Sequence, residues 1–99
     1  MPEFHFTNKA IEDLTDIWNY TYDTWSEKQA DKYYQEILNK CKEISENPND
    51  GKIYESIWES LKGSIINKHI IFYRELDTEI IEIERILHQK MDLKTKFKR

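Results

Sequence analysis

The sequence predicts an α+β fold of order β-α-α-β-β-β, with an antiparallel helical hairpin packed on one face of a small, twisted, mainly antiparallel sheet. Three observations carry this expectation. Apolar residues recur at helical spacing over 7–25 and again over 30–44. The run Asn47-Pro48-Asn49-Asp50-Gly51 is a firm helix stop. After Gly63 the chain turns to β-branched and aromatic residues in short runs. Ninety-nine residues suit one domain, 1–99, ending in a basic tail over 93–99.

Taken in order, Phe4 and Phe6 alternate with Glu3 and His5 as in a short first strand. Thr7 is placed to cap the helix after it, its side-chain oxygen accepting an otherwise unpaired backbone N–H. In that helix Ile11, Leu14, Trp18, Tyr22 and Trp25 form one apolar stripe, which the spacing assigns to the core. Ser26-Glu27-Lys28-Gln29 is a capping box, so a second helix starts almost at once. Its stripe is Ala30, Tyr34, Ile37, Cys41 and Ile44, with Tyr33 and Leu38 beside it. Helices joined so tightly must lie antiparallel. Residues 53–60 fit either a helical turn or a packed loop. Ser64 to Asn67, Lys68 to Glu75 and Glu79 to His88 are the expected meander strands, with turns at Asn67-Lys68 and Leu76-Asp77-Thr78. In the last strand Ile81, Ile83 and Leu87 are expected to share a face with Arg85. The alternation does not say where the first strand joins, and it leaves the far face of the sheet partly open.

Composition excludes several classes. With two Gly, two Pro and one Cys, the chain is neither collagen-like nor a disulfide scaffold, and its thirteen aromatics argue against disorder. The longest apolar-and-aromatic run, Ile70 to Tyr73, is far shorter than the roughly 20 residues of a membrane helix. The first residues lack the pattern of a signal peptide, and the lone cysteine suits a reducing cytoplasm. The net charge of −4 is uneven. From Glu84 onward six basic residues face two acids, a balance of +4, whereas residues 1–83 carry −8. A nucleic-acid binder needs a basic face that neutralises several phosphates. Only the tail residues Lys90, Lys94, Lys96, Lys98 and Arg99 offer one, either as a frayed solvated end or as a patch for an acidic partner, so direct DNA binding by this chain alone is not expected.

No phosphate-cradling glycine loop, GxSxG, HExxH or CxxC occurs, and His5, His69 and His88 lack ligand-spaced partners, so neither a metal nor a cofactor is expected. Two features remain. An arginine on an apolar strand face needs a partner, and Asp13 or Asp16 of the first helix could pair with Arg85. The set Lys62, His69, Arg74, Arg85 and His88 is strung over the meander. Such residues could hold an RNA phosphate and exchange protons during attack by a 2′-hydroxyl, or they could be ordinary strand-end polar groups.

Together these residues resemble the RelE/ParE toxins of bacterial type II toxin–antitoxin systems, and the ParE-like branch in particular. The resemblance spans nearly the whole chain. It is carried by Thr7-x-x-Ala10-x-x-Asp13-Leu14-x-x-Ile17-x-x-Tyr20, by Asn47-Pro48 with Gly51-Lys52, and by Lys62 followed by His69 to Arg74. The most specific piece is Ile83-Glu84-Arg85-Ile86-Leu87-His88-x-x-Met91-Asp92. The resemblance implies a small cytoplasmic toxin, neutralised by a cognate antitoxin that lies across its helices and sheet. For the ParE-like branch it implies DNA gyrase as the target, inhibited by binding. For the RelE-like branch it implies a ribosome-dependent mRNA endoribonuclease. This chain is acidic overall, has His69 where that branch usually has arginine, and has no tyrosine after Tyr73. Those departures favour the binding toxin over the nuclease, whose set would be Lys62, His69, Arg74, Arg85 and His88.

Overall fold

The computed structural model describes residues 3–77 and 79–97. The elements are β1 (Glu3–Phe6), α1 (Asn8–Thr24), α2 (Glu27–Glu46), a 3-10 turn (Pro48–Asp50), β2 (Lys52–Ile53), β3 (Lys62–Ile66), β4 (His69–Asp77), β5 (Ile80–His88) and α3 (Leu93–Lys96). The strands form one mixed sheet in the order β1-β5-β4-β3-β2. β1 lies at an edge, parallel to β5, and the other pairs are antiparallel.

Local chemistry sets the helix boundaries. The Thr7 hydroxyl oxygen accepts the Ala10 N–H at 3.0 Å and donates to the Glu84 carbonyl at 2.9 Å, so the helix cap also fastens α1 to β5. Ser26 Oγ accepts the Gln29 N–H at 3.1 Å and opens α2 one residue after α1 is capped. The two helices cover one face of the sheet. Ala10 and Leu14 meet Ile37, Cys41 and Ile44 above Ile71, Tyr73, Ile81, Ile83 and Ile86. Burial pushes the Cys41 thiol up to about 12, which keeps it protonated and inert in this core.

Two expectations are corrected. The α1 core stripe is Ala10, Leu14 and, less fully buried, Ile17, whereas Ile11, Tyr22 and Trp25 are 50%, 48% and 73% exposed. The small Ala10 lets the backbone of α1 approach the sheet, which turns the larger side chains outward. In β5 the register runs Phe72↔Arg85 and Tyr73↔Ile83, so Glu84 is an extra residue in a β-bulge. The bulge reverses the alternation: Ile86 joins Ile81 and Ile83 under the helices, and Leu87 packs with Phe72 and Ile70 on the other side. Arg85 therefore shares a side with Leu87 and not with Ile81 and Ile83. The far face of the sheet, expected to be partly open, leaves Ile65, the partner of Ile70, 58% exposed but is covered over Phe72. Leu61, Ile70, Phe72 and Leu87 are covered there by Tyr54, Ile57, Trp58, Leu93 and Phe97.

The ambiguous stretch 53–60 is a short edge strand followed by turns, closed by the Tyr54 N–H donating to the Leu61 carbonyl at 2.8 Å. Ser60 and Asn67 take the left-handed backbone, at φ 64° and 51°, and Asn67 makes the tight β3–β4 turn. β4 runs on to Asp77, past the expected turn start at Leu76, and the turn residue Thr78 lies outside the described residues.

Gly51 sits where any Cβ would strike the Tyr73 ring, 2.9 Å from Cζ, and the Tyr73 hydroxyl donates to the Pro48 carbonyl at 2.8 Å. Gly51→Ala should displace this buried ring and lower stability by about 1–3 kcal/mol in a urea titration, the usual cost of overpacking.

Candidate functional site

The sheet distributes the candidate residues over separate places. β1 ends at Phe6, and there Asp13 of α1 takes over the edge of β5. Its carboxylate accepts the Ile86 N–H at 3.0 Å, Arg85 Nε at 2.8 Å and Arg85 Nη2 at 2.8 Å. The two side chains are 14% and 10% exposed, and the bonds to Asp13 raise the Arg85 pKa against the effect of burial. The remaining arm, Nη1, donates to the Lys96 carbonyl at 2.9 Å. Asp16, the other candidate partner, is exposed and lies outside this pair.

Lys62 and Arg74 are engaged elsewhere. Lys62 Nζ donates to Asn49 Oδ1 at 3.2 Å and the Pro48 carbonyl at 3.4 Å, pinning the loop after α2 to β3. The Arg74 guanidinium lies 4.5 Å over the Trp58 ring, opposite Glu82 in the strand register. His5 reaches Glu82 at 3.2 Å from β1. Glu82 is held below the usual carboxylate range chiefly by the hydrogen bond it shares with Glu84, with His5 and Arg74 assisting against burial.

Of the five residues of the nuclease set, His69 and His88 are the two that the fold brings together. They are direct cross-strand partners with ring centres 5.5 Å apart. Tyr33 of α2, which the sequence does not single out, places its hydroxyl 2.8 Å from His69 Nδ1 and donates toward the Ile66 carbonyl at 3.2 Å. Its position beside the α2 stripe was the sole signal that it would face the sheet. His88 Nδ1 accepts the Lys90 N–H at 3.1 Å, so in neutral His88 the proton sits on Nε2. Burial, and then the neighbouring His88, push the His69 pKa below the ordinary histidine value, while burial raises that of the Tyr33 hydroxyl. The cluster sets two imidazoles and a phenol side by side, with Lys68 and Lys90 exposed in the adjoining turns.

The tail is packed over the described part of its length. Phe97 sets its ring against Phe72 at 5.0 Å and near Trp58 at 6.2 Å, and Leu93 joins the same cluster. Lys90 and Lys96 are exposed, Lys94 lies within α3, and Lys98 and Arg99 lie outside the described residues. The outward face of the hairpin is the second prominent surface. Ile11, Tyr22 and Trp25 are exposed there, with Trp18 stacked on Tyr22 at 5.3 Å and its indole N–H donating to Asp31 at 3.0 Å. Among the described residues no group of three or more His, Cys, Asp or Glu side chains is placed to hold a metal, and no helix is long and apolar enough to cross a membrane.

Residues 4–93 match the family model described as the ParE toxin of type II toxin–antitoxin system, parDE. The chain is 32% identical over 80 residues to Toxin ParE1 of Mycobacterium tuberculosis, covering 81% of this chain and 82% of that one. It is also 32% identical over 92 residues to Toxin ParE1 of Caulobacter vibrioides, covering 93% and 94%. A solved structure from a chromosomal ParDE TA system of P. aeruginosa has the same fold, with a TM-score of 0.76 at 22% identity over 89% of this chain and 96% of that one.

The His69 environment sets a pH dependence. A histidine whose folded pKa lies below its unfolded value, about 6.5, contributes stability that is complete above that pH and is lost as pH falls through the folded pKa. His69→Gln should therefore flatten the fall in stability below about pH 6.5, as measured by urea titrations at stepped pH.

Proposed function

The chain belongs to the ParE toxin family of type II toxin–antitoxin systems, and from that premise we propose that it arrests growth by binding DNA gyrase in the cytoplasm and is neutralised by a cognate antitoxin. The observation that carries the binding reading is the separation of the basic candidates. Lys62 is tied to the Pro48–Asn49 loop, Arg74 lies on Trp58, and Arg85 is committed to Asp13 and the tail. Phosphodiester cleavage needs cations and proton-transfer groups converging on one substrate. Binding needs an exposed surface, and the exposed Lys90 and Lys96, together with the sequence's surplus of positive charge through Lys94, Lys98 and Arg99, favour this end of the chain as the one that meets the target.

The antitoxin's place is the helical hairpin. Ile11, Trp18, Tyr22 and Trp25 recur along one face of α1, and an aromatic stripe of this kind accepts the apolar side of an amphipathic helix. Trp25→Ser combined with Tyr22→Ser should leave the toxin folded and weaken antitoxin binding by about thirtyfold or more, or roughly 2 kcal/mol, in calorimetry.

The second reading, a ribosome-dependent mRNA endoribonuclease, is favoured by the pairing of His69 with His88 beside Tyr33. A short induction of the chain with and without the antitoxin gene separates the two. The binding reading expects DNA synthesis to stop first, with purified gyrase inhibited and both effects relieved by the antitoxin. An early stop in translation with cut messages, abolished by His88→Gln, would replace it with the nuclease.

A further inference from the structure

We infer that Arg85 is a positioning residue for target recognition, acting through the C-terminal segment that it clamps to the sheet. The inference rests on the reading above that the basic tail meets the target. An ion pair with Asp13 uses two of the guanidinium's donor atoms, Nε and Nη2, each at 2.8 Å. The third, Nη1, goes to a main-chain atom of the tail, the Lys96 carbonyl, at 2.9 Å. That carbonyl closes a four-residue helix and has no partner within it.

A helix so short does not hold itself in water, so its order comes from its seat. Asp92 accepts the Thr95 hydroxyl at 2.8 Å at the start of the segment, Arg85 holds its end, and Phe97 rests on Phe72 between them and the core. Asp13 neutralises Arg85, which therefore adds no net charge to the corner it organises. Among the described residues the exposed cations there are Lys90, whose N–H donates to His88 Nδ1, and Lys96, whose carbonyl is the one Arg85 holds. A planar fork reaches a carboxylate and a carbonyl at once, whereas an ammonium is a single point charge. The residue type thus matches the bridging role and exceeds what the pair with Asp13 alone requires.

The test uses the full chain bearing Arg85→Lys, which keeps a cation for Asp13, and separately Phe97→Ala, which loosens the same segment from its other side. Three quantities are read: amide exchange at Lys96 and Phe97, antitoxin affinity, and killing on induction. Both variants should speed exchange at those two amides at least tenfold and cut killing at least tenfold, with antitoxin affinity changed less than threefold. A purely structural role would instead speed exchange while lowering antitoxin affinity and killing together, and that outcome overturns the inference. So does unchanged exchange in Arg85→Lys, or full killing with a released tail. A chain with Lys94, Lys96, Lys98 and Arg99 all changed to Gln tests the underlying reading by itself. If it kills fully while its tail stays ordered, the tail is not the target surface, whatever Arg85 holds in place.

Discussion

The structure turns on one carboxylate. Asp13 accepts three hydrogen bonds, two from Arg85 and one from the Ile86 main chain, at the point where β1 ends and β5 continues. Without a strand alongside, that stretch of β5 would present a bare N–H near the core, and a buried unpaired donor is costly. Asp13 supplies the acceptor from a helix, so α1 is tied to the sheet in the middle as Thr7 ties it at its start. Arg85 pairs with that carboxylate through two nitrogens and extends the junction to the C-terminal segment. Breaking a pair this buried by removing one member typically costs about 3–5 kcal/mol, because the other charge is left without compensation.

The bulge at Glu84 makes that junction geometrically possible. Strict alternation would have put Arg85 beneath the helices, between Ile83 and Leu87. One additional residue in β5 moves it to the Phe72 side, where its side chain meets both Asp13 and the tail, and it returns Ile86 to the helix-covered core. The sheet then has two apolar faces. The helices cover the larger one, and the loop after β2 together with the C-terminal segment covers the other through Tyr54, Trp58 and Phe97.

This arrangement bears directly on function. The chain's excess positive charge is concentrated in a segment held by a few contacts, while the rest of the molecule is acidic. A protein that works through a binding surface can separate the parts that fold it from the parts that meet its target. Lys62, Arg74 and Arg85 of the meander serve the first purpose: they anchor a loop, a ring and a carboxylate respectively. The exposed aromatic stripe of α1 and the exposed Lys90 and Lys96 have no such anchoring role among the described contacts, and the proposed function assigns its partners there.

Much of this was legible in the sequence for a local reason. Caps, helix stops and turns depend on residues within a few positions of one another, so Thr7, Ser26, Asn47-Pro48 and Asn67 marked their elements directly. The order of residues from Ile83 to Asp92 likewise pointed to the family. What the sequence could not convey depends on pairing between distant segments. Both Ile11 and Leu14 are apolar and in phase, but contact of Ala10 with the sheet decides which one is buried. The same holds for the parallel seat of β1, for the choice of Asp13 over the exposed Asp16, and for the approach of Tyr33 to His69. An added residue in a strand leaves its composition unchanged while reversing every side chain beyond it, so the place of Arg85 was decided by the register against β4.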